Sequence, residues 1–210
     1  MKKHAIAFLL ALAALRCFAQ TPEERLFDAI EEGKPLVAEG LVARGQVDVN
    51  ARNPERETPL HRAIERGMRE LAALLVKAGA HLGARSSNGE TPLHYAALHP
   101  ETYFAELLLD ARADPRVRND DGESPLHWAV LSGNAVLAQR LLERGADLKV
   151  KDLKGNGVLH AAADSGRLDL VRLFLSLGLD PAERNRAGRR ALEIARERGH
   201  QDIVKLLETR

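Results

Sequence analysis

Large rings are scarce in this chain: one Trp, two Tyr and five Phe among 210 residues. A core cannot rest mainly on stacked aromatics, so burial must fall to Leu, Val and Ala, which favours helices held close by small side chains. Cysteine is scarcer still: Cys17 stands alone, so no intrachain disulfide can form. Charge of one sign is lacking too, with 31 Lys and Arg against 30 Asp and Glu. That balance makes no global case for nucleic acid or for an anionic membrane surface. The longest apolar run, Ala5 to Leu15, is eleven residues, short of the roughly 20 that a membrane-spanning helix needs. No GxxxxGK[ST], HExxH or GxSxG occurs, which removes the usual signs of a phosphate cradle, a zinc protease or a nucleophile elbow.

What is present begins with a leader. Lys2 and Lys3 precede the apolar run, and Cys17, Phe18 and Ala19 place small residues at the two positions that a signal peptidase reads. A cleaved secretory signal is expected over residues 1–19, with the cut before Gln20. A lipid anchor at Cys17 is the rival reading; Arg16, where a small residue belongs, argues against it. Removing Lys2, Lys3 and Arg16 takes three charges from the formal +1 and leaves −2. The chain after the cut has no cysteine and is indifferent to an oxidising compartment, so export to a bacterial periplasm is expected, without membrane insertion.

A fixed interval organises the remainder. TPLH stands at 58–61 and 91–94, SPLH at 124–127, GVLH at 157–160 and RALE at 190–193, each 33 residues after the last. Gly79, Gly145 and Gly178 follow their blocks by 21 residues. A shifted copy, LFDAIEEG at 26–33, opens the array at a lag of 34. Within one period, Leu60, Ala63 and Ile64 share a helical face, and Leu71, Leu74 and Leu75 share another,. Neither helix can bury its stripe alone, whereas stacked pairs close a continuous core. The expected fold is an all-α solenoid of about six helix-turn-helix repeats joined by β-hairpin-like loops. It fills residues 20–210, with repeats at about 25–57, 58–90, 91–123, 124–156, 157–189 and 190–210. Ala63, Ala96, Ala129, Ala162 and Ala195 recur so that neighbouring helices can approach.

This period with TPLHxA resembles the ankyrin-repeat family. The resemblance covers about residues 25–210 and implies a binding scaffold with no catalytic residue, cofactor or metal. It gives His61, His94, His127 and His160 the role of turn clamps, their ring nitrogens bonding the nearby hydroxyl and the backbone. A metal is also disfavoured by spacing, since stacked helices lie about 8–10 Å apart and zinc needs nitrogens at about 2.0–2.1 Å. An enzyme would show one such base beside one nucleophile, not one histidine per repeat.

The departures from the pattern are local. Pro100 replaces the glycine found at 67, 133 and 166, and Arg112 replaces the glycine at 79, 145 and 178. The turn at His99-Pro100-Glu101 must take another path, either as a loop re-aimed at a partner or as tolerated drift. Gly157 deprives His160 of its hydroxyl partner, which reads as a softer joint.

The resemblance also implies that a partner protein lies on the concave side, built from hairpin tips and first helices. Tyr95 and Trp128 follow their clamps 33 residues apart and should sit one above the other, flanked by Leu98, His99 and Leu131. They serve either as anchors or as packing. Each tip starts with a cation, Arg52, Arg85, Arg118, Lys151 and Arg184, read as a cationic row or as solvated charges. Early tips carry Glu55, Glu57, Glu90, Asp120, Asp121 and Glu123, and late ones Lys154, Arg186, Arg189 and Arg190. Such a bipolar groove would steer a protein of opposite arrangement and does not suit nucleic acid. The expected product is a monomeric, non-enzymatic binding protein of the periplasm, a stress-related accessory or a toxin-neutralising factor. The alternatives are a structural subunit of an envelope complex and an enzyme with an unrecognised site.

Overall fold

Six helix pairs follow one another in chain order. The computed structural model describes residues 20–209, so the expected leader at 1–19 lies outside the described residues. The pairs are α1 Pro22–Glu31 with α2 Pro35–Ala43, α3 Pro59–Glu65 with α4 Arg69–Lys77, and α5 Pro92–Leu98 with α6 Tyr103–Asp110. Then come α7 Pro125–Ser132 with α8 Ala135–Glu143, α9 Val158–Asp164 with α10 Leu168–Ser176, and α11 Ala191–Arg198 with α12 Gln201–Glu208.

Local sequence starts each first helix. Proline occupies the first helical position of α1, α3, α5 and α7, where its missing N–H costs no hydrogen bond. Thr21, Thr58, Thr91 and Ser124 cap those helices, and the third helical residue bonds back to each cap,. Glycine at 67, 133 and 166 closes the pair turn with φ between 68° and 74°, a conformation that costs other residues because of their Cβ. At the third repeat the turn runs differently: α5 stops at Leu98, and His99 is extended at φ −67°, ψ 139°, as the residue before a proline prefers. Arg112 takes the left-handed φ of 67° that its neighbours give to glycine. Arg56 does the same at 61° in the column of Gly89, Gly122, Gly155 and Gly188.

The core is a stripe along the stack. Leu60, Ile64, Leu71, Leu75, Leu93, Leu108, Leu126, Leu137, Leu170 and the two rings Phe104 and Phe174 are fully buried. The five alanines at 63, 96, 129, 162 and 195 are fully buried as well. They let each first helix lie against the next along the whole stack, whereas second helices touch more sparsely, most of all on either side of α8. Closer spacing on one side than on the other bends the stack, with the first helices on the inside.

The connecting loops are hairpin-like turns without a continuous ladder. No named strand forms among the described residues, and only Lys151 and Gly157 make an isolated antiparallel bridge. Two backbone bonds close each tip, as from the Ser86 N–H to the Glu90 carbonyl at 2.8 Å and from the Gly89 N–H to the Ser86 carbonyl at 3.1 Å. A further bond steps to the preceding tip: Ser87 to Glu55, Asp120 to Asn88, Leu153 to Asp121 and Arg186 to Lys154. With one residue per step there is no room for a continuous ladder.

Candidate functional site

The four histidines sit in the core of the turns. The Thr91 N–H donates to His94 Nδ1 at 3.1 Å, and the Thr91 hydroxyl lies 3.0 Å from the same nitrogen. Since Nδ1 accepts, Nε2 carries the proton and donates to the Glu123 carbonyl, 3.1 Å away in the next tip. His61 repeats this with Thr58 and Glu90, and His127 with Ser124 and Asn156. His160 keeps the Gly157 N–H at 3.3 Å and the Arg189 carbonyl at 3.2 Å, with no hydroxyl in reach. Each ring thus ties its own helix cap to the following repeat. Burial penalises the charged form and lowers the pKa of all four, of His61 and His94 to about 4,. A neutral ring with both nitrogens engaged is a poor base and has no free lone pair for a metal. Among the described residues no group of three or more His, Cys, Asp and Glu is placed to hold a metal ion.

The cations that open the tips are also engaged. Arg52 donates through Nη1 to the Arg85 carbonyl at 2.7 Å, Arg85 to the Arg118 carbonyl at 2.8 Å, and Arg118 through Nη2 to the Lys151 carbonyl at 2.5 Å. Lys151 instead pairs with Glu183 at 2.6 Å. The row is a staircase of ties from one repeat to the next. Asp120 pairs with Arg85 at 2.9 Å, and Asp121 gives its carbonyl to Leu153. These two exposed tip residues stand apart from the aromatic pair.

Tyr95 and Trp128 lie together on the concave side, their ring centroids 6.4 Å apart and their planes 29° from parallel. Each ring meets the clamp of the preceding repeat edge-on, Tyr95 at His61 (5.2 Å) and Trp128 at His94 (5.4 Å). Their polar ends turn to carboxylates: the Tyr95 hydroxyl to the buried Glu57, and Trp128 Nε1 to Glu123 at 2.8 Å. Burial and the Glu57 charge raise the Tyr95 phenol pKa far above its usual range. Both aromatics therefore pack and line a surface at once.

Around them open two shallow clefts. One, of about 380 Å3, is lined by Glu65, Glu90, Tyr95, Leu98, His99, Pro100 and Trp128. The other, of about 240 Å3, takes in Glu123, Leu131, Lys154, Asp164, Ile194 and Arg198. Leu98 is 53% and Leu131 42% exposed, so with Tyr95 and Trp128 they form an apolar island across α5 and α7. His99 belongs to the rim, but its ring also packs on Phe104 with centroids 4.6 Å apart, and its Nδ1 accepts the Glu101 N–H. It is held to the scaffold rather than projected outward. The flanks were not singled out by sequence reasoning, although the signal was there. The column through Leu98 and Leu131 continues at the same interval to Glu65, Asp164 and Glu197, so carboxylates bound the island at either end.

Comparison with known families agrees with this geometry. A family model described as ankyrin repeats (3 copies) matches residues 26–119, 82–152, 102–185 and 126–209. The chain belongs to the ankyrin-repeat family. Ankyrin repeats commonly serve as protein–protein interaction scaffolds and are generally not enzymes. No curated protein matches the chain. In this ankyrin array no helix among the described residues is long and apolar enough to cross a membrane.

Proposed function

We propose that this ankyrin protein binds another protein through the apolar island of Tyr95, Leu98, Trp128 and Leu131. The observation that carries the reading is the exposure of two leucines beside two stacked rings on the concave face. Apolar side chains grouped in this way on a surface mark an interaction site, and Trp and Tyr are enriched among the residues that carry binding energy. The flanking carboxylates Glu65 and Asp164 are already paired with Arg62 and Arg198, so the apolar island and not charge sets the anchor that a partner must offer. The work is done outside the cytoplasm, in a bacterial periplasm, as a stress-related accessory or a toxin-neutralising factor. Support for that setting comes from the basic-apolar leader and from a cysteine-free sequence after Ala19.

Leu98→Asp/Leu131→Asp is the discriminating variant. Replacing Tyr95 would strand Glu57, which is buried and takes its hydroxyl, whereas Leu98 and Leu131 are exposed and can be replaced without opening the core. Affinity capture from an envelope extract with residues 20–210 should recover a partner that the double variant loses. Equal recovery by both would end the reading. Retention of the full-length chain in the cytosolic fraction would end the assignment to the periplasm.

A further inference from the structure

Away from the aromatic island, a cleft of about 730 Å3 opens among the loops that join the third to sixth repeats. Six cations line it: Arg116, Arg118, Lys149, Lys151, Arg184 and Arg186. The tip column makes one residue of each loop basic throughout, but Arg116 and Lys149 occupy the column of Asn50, Gly83 and Ala182, and Arg186 that of Asp120 and Leu153. The cluster is therefore confined to these loops.

Its charges are held but not neutralised. Arg116 donates through Nε to the Gly145 carbonyl at 2.8 Å, and Arg118 through Nε to the Gly122 carbonyl at 2.8 Å. Arg184 donates through Nη1 to the Gly188 carbonyl at 2.5 Å. A carbonyl fixes a guanidinium without cancelling its charge, and each keeps further N–H donors from the five it carries. Lys149 and Arg186 have neither an ion pair nor a side-chain hydrogen bond among the described residues. The lining carboxylates look elsewhere: Asp147 accepts the Lys149 N–H, and Asp152 accepts from Asn156. Counting these two and the Glu183 that pairs with Lys151, the cleft keeps an excess of three positive charges.

We propose that this cleft binds a small anion carrying two or more phosphate or sulfate groups, free in solution or as a lipid headgroup. Guanidinium forks match the oxygens of such groups. Arginines already ordered by carbonyls lose little further freedom on binding. The excess charge is spread over three loops, so one oxyanion cannot reach all of it and a multivalent one can. A long polyanion is a poorer fit, because the early tips bear Glu55, Asp120 and Asp121 and interrupt any track,.

The test uses the chain from residue 20 with tripolyphosphate as probe, by titration calorimetry at low salt. Lys149→Ala/Arg186→Ala removes two cations that tie nothing together, so its melting temperature should match the parent. Saturable binding is expected, weakened about tenfold in the variant and declining with added salt. Sedimentation with phosphatidylcholine vesicles containing cardiolipin separates the sources. Pelleting that tripolyphosphate blocks assigns a headgroup, and binding of tripolyphosphate without pelleting assigns a soluble ligand. The proposal is overturned if neither probe binds, if the variant binds as well as the parent, or if duplex DNA binds in the cleft more tightly than tripolyphosphate.

Discussion

Acid should loosen this protein before its carboxylates titrate. His61 and His94 are fully buried, accept hydrogen bonds at Nδ1 and have pKa values of about 4, against 6.5 in an exposed chain. The folded state thus binds fewer protons than the unfolded state between these values. Stability is present in full above pH 6.5, falls as pH drops towards 4, and is not further affected by these groups below that. Linkage gives a loss of about 2 kcal/mol per ring at pH 5 relative to pH 8, hence about 4 kcal/mol for the two. His127 and His160 shift in the same direction. With a urea dependence of about 2 kcal/mol per molar, the midpoint followed by far-ultraviolet circular dichroism should move down by about 2 M. Glu193, held low by Arg190 to about 2, contributes its loss only below about pH 4.5, so the windows separate. His94→Gln supplies the control: glutamine at this position can still close the capping box with Thr91 but does not titrate. It should remove about 2 kcal/mol of the loss between pH 8 and 5, the share of that one ring. A urea midpoint that stays flat or rises as pH falls from 6.5 to 4.5 refutes the account of the clamps.

Two further predictions concern the backbone. Arg56→Gly and Arg112→Gly should each stabilise the fold by about 1 kcal/mol, because both arginines hold a positive φ that glycine adopts without strain,; a lower urea midpoint for either variant would contradict this. Gly157 is extended at φ −87°, and a Cβ there would meet nothing nearer than 3.7 Å. Gly157→Thr should restore the missing hydroxyl to His160 and raise stability by about 1 kcal/mol, read as an upward shift in melting temperature.

The 33-residue interval made the helix pairs and the clamps legible, since each repeat states the same turn chemistry again. The Thr91 side of the His94 clamp is local and could be read from TPLH. The other side, Nε2 to Glu123, is 29 residues away and exists only once the next repeat is stacked. The tip arginines show the same limit. Composition makes them cations, but the acceptors are carbonyls of the neighbouring tip, to which any residue type contributes equally. Tyr95 and Trp128 could be placed one above the other from spacing alone, whereas the carboxylates at their polar ends depend on rotamers. Arg56 was overlooked because its loop has no glycine to mark the turn, although the column of Gly89, Gly122, Gly155 and Gly188 marks it from the other repeats.

Dense inner packing beside sparse outer packing makes the stack unequal in stiffness. The buried alanines fix the spine along the first helices, while the second helices around α8 have little to hold them to their neighbours. Flexing therefore opens the back like a fan, and the inner edge changes its curvature without parting. Because Tyr95 and Trp128 belong to adjacent ribs of that fan, a partner seated across both would brace the arch at its most pliant span.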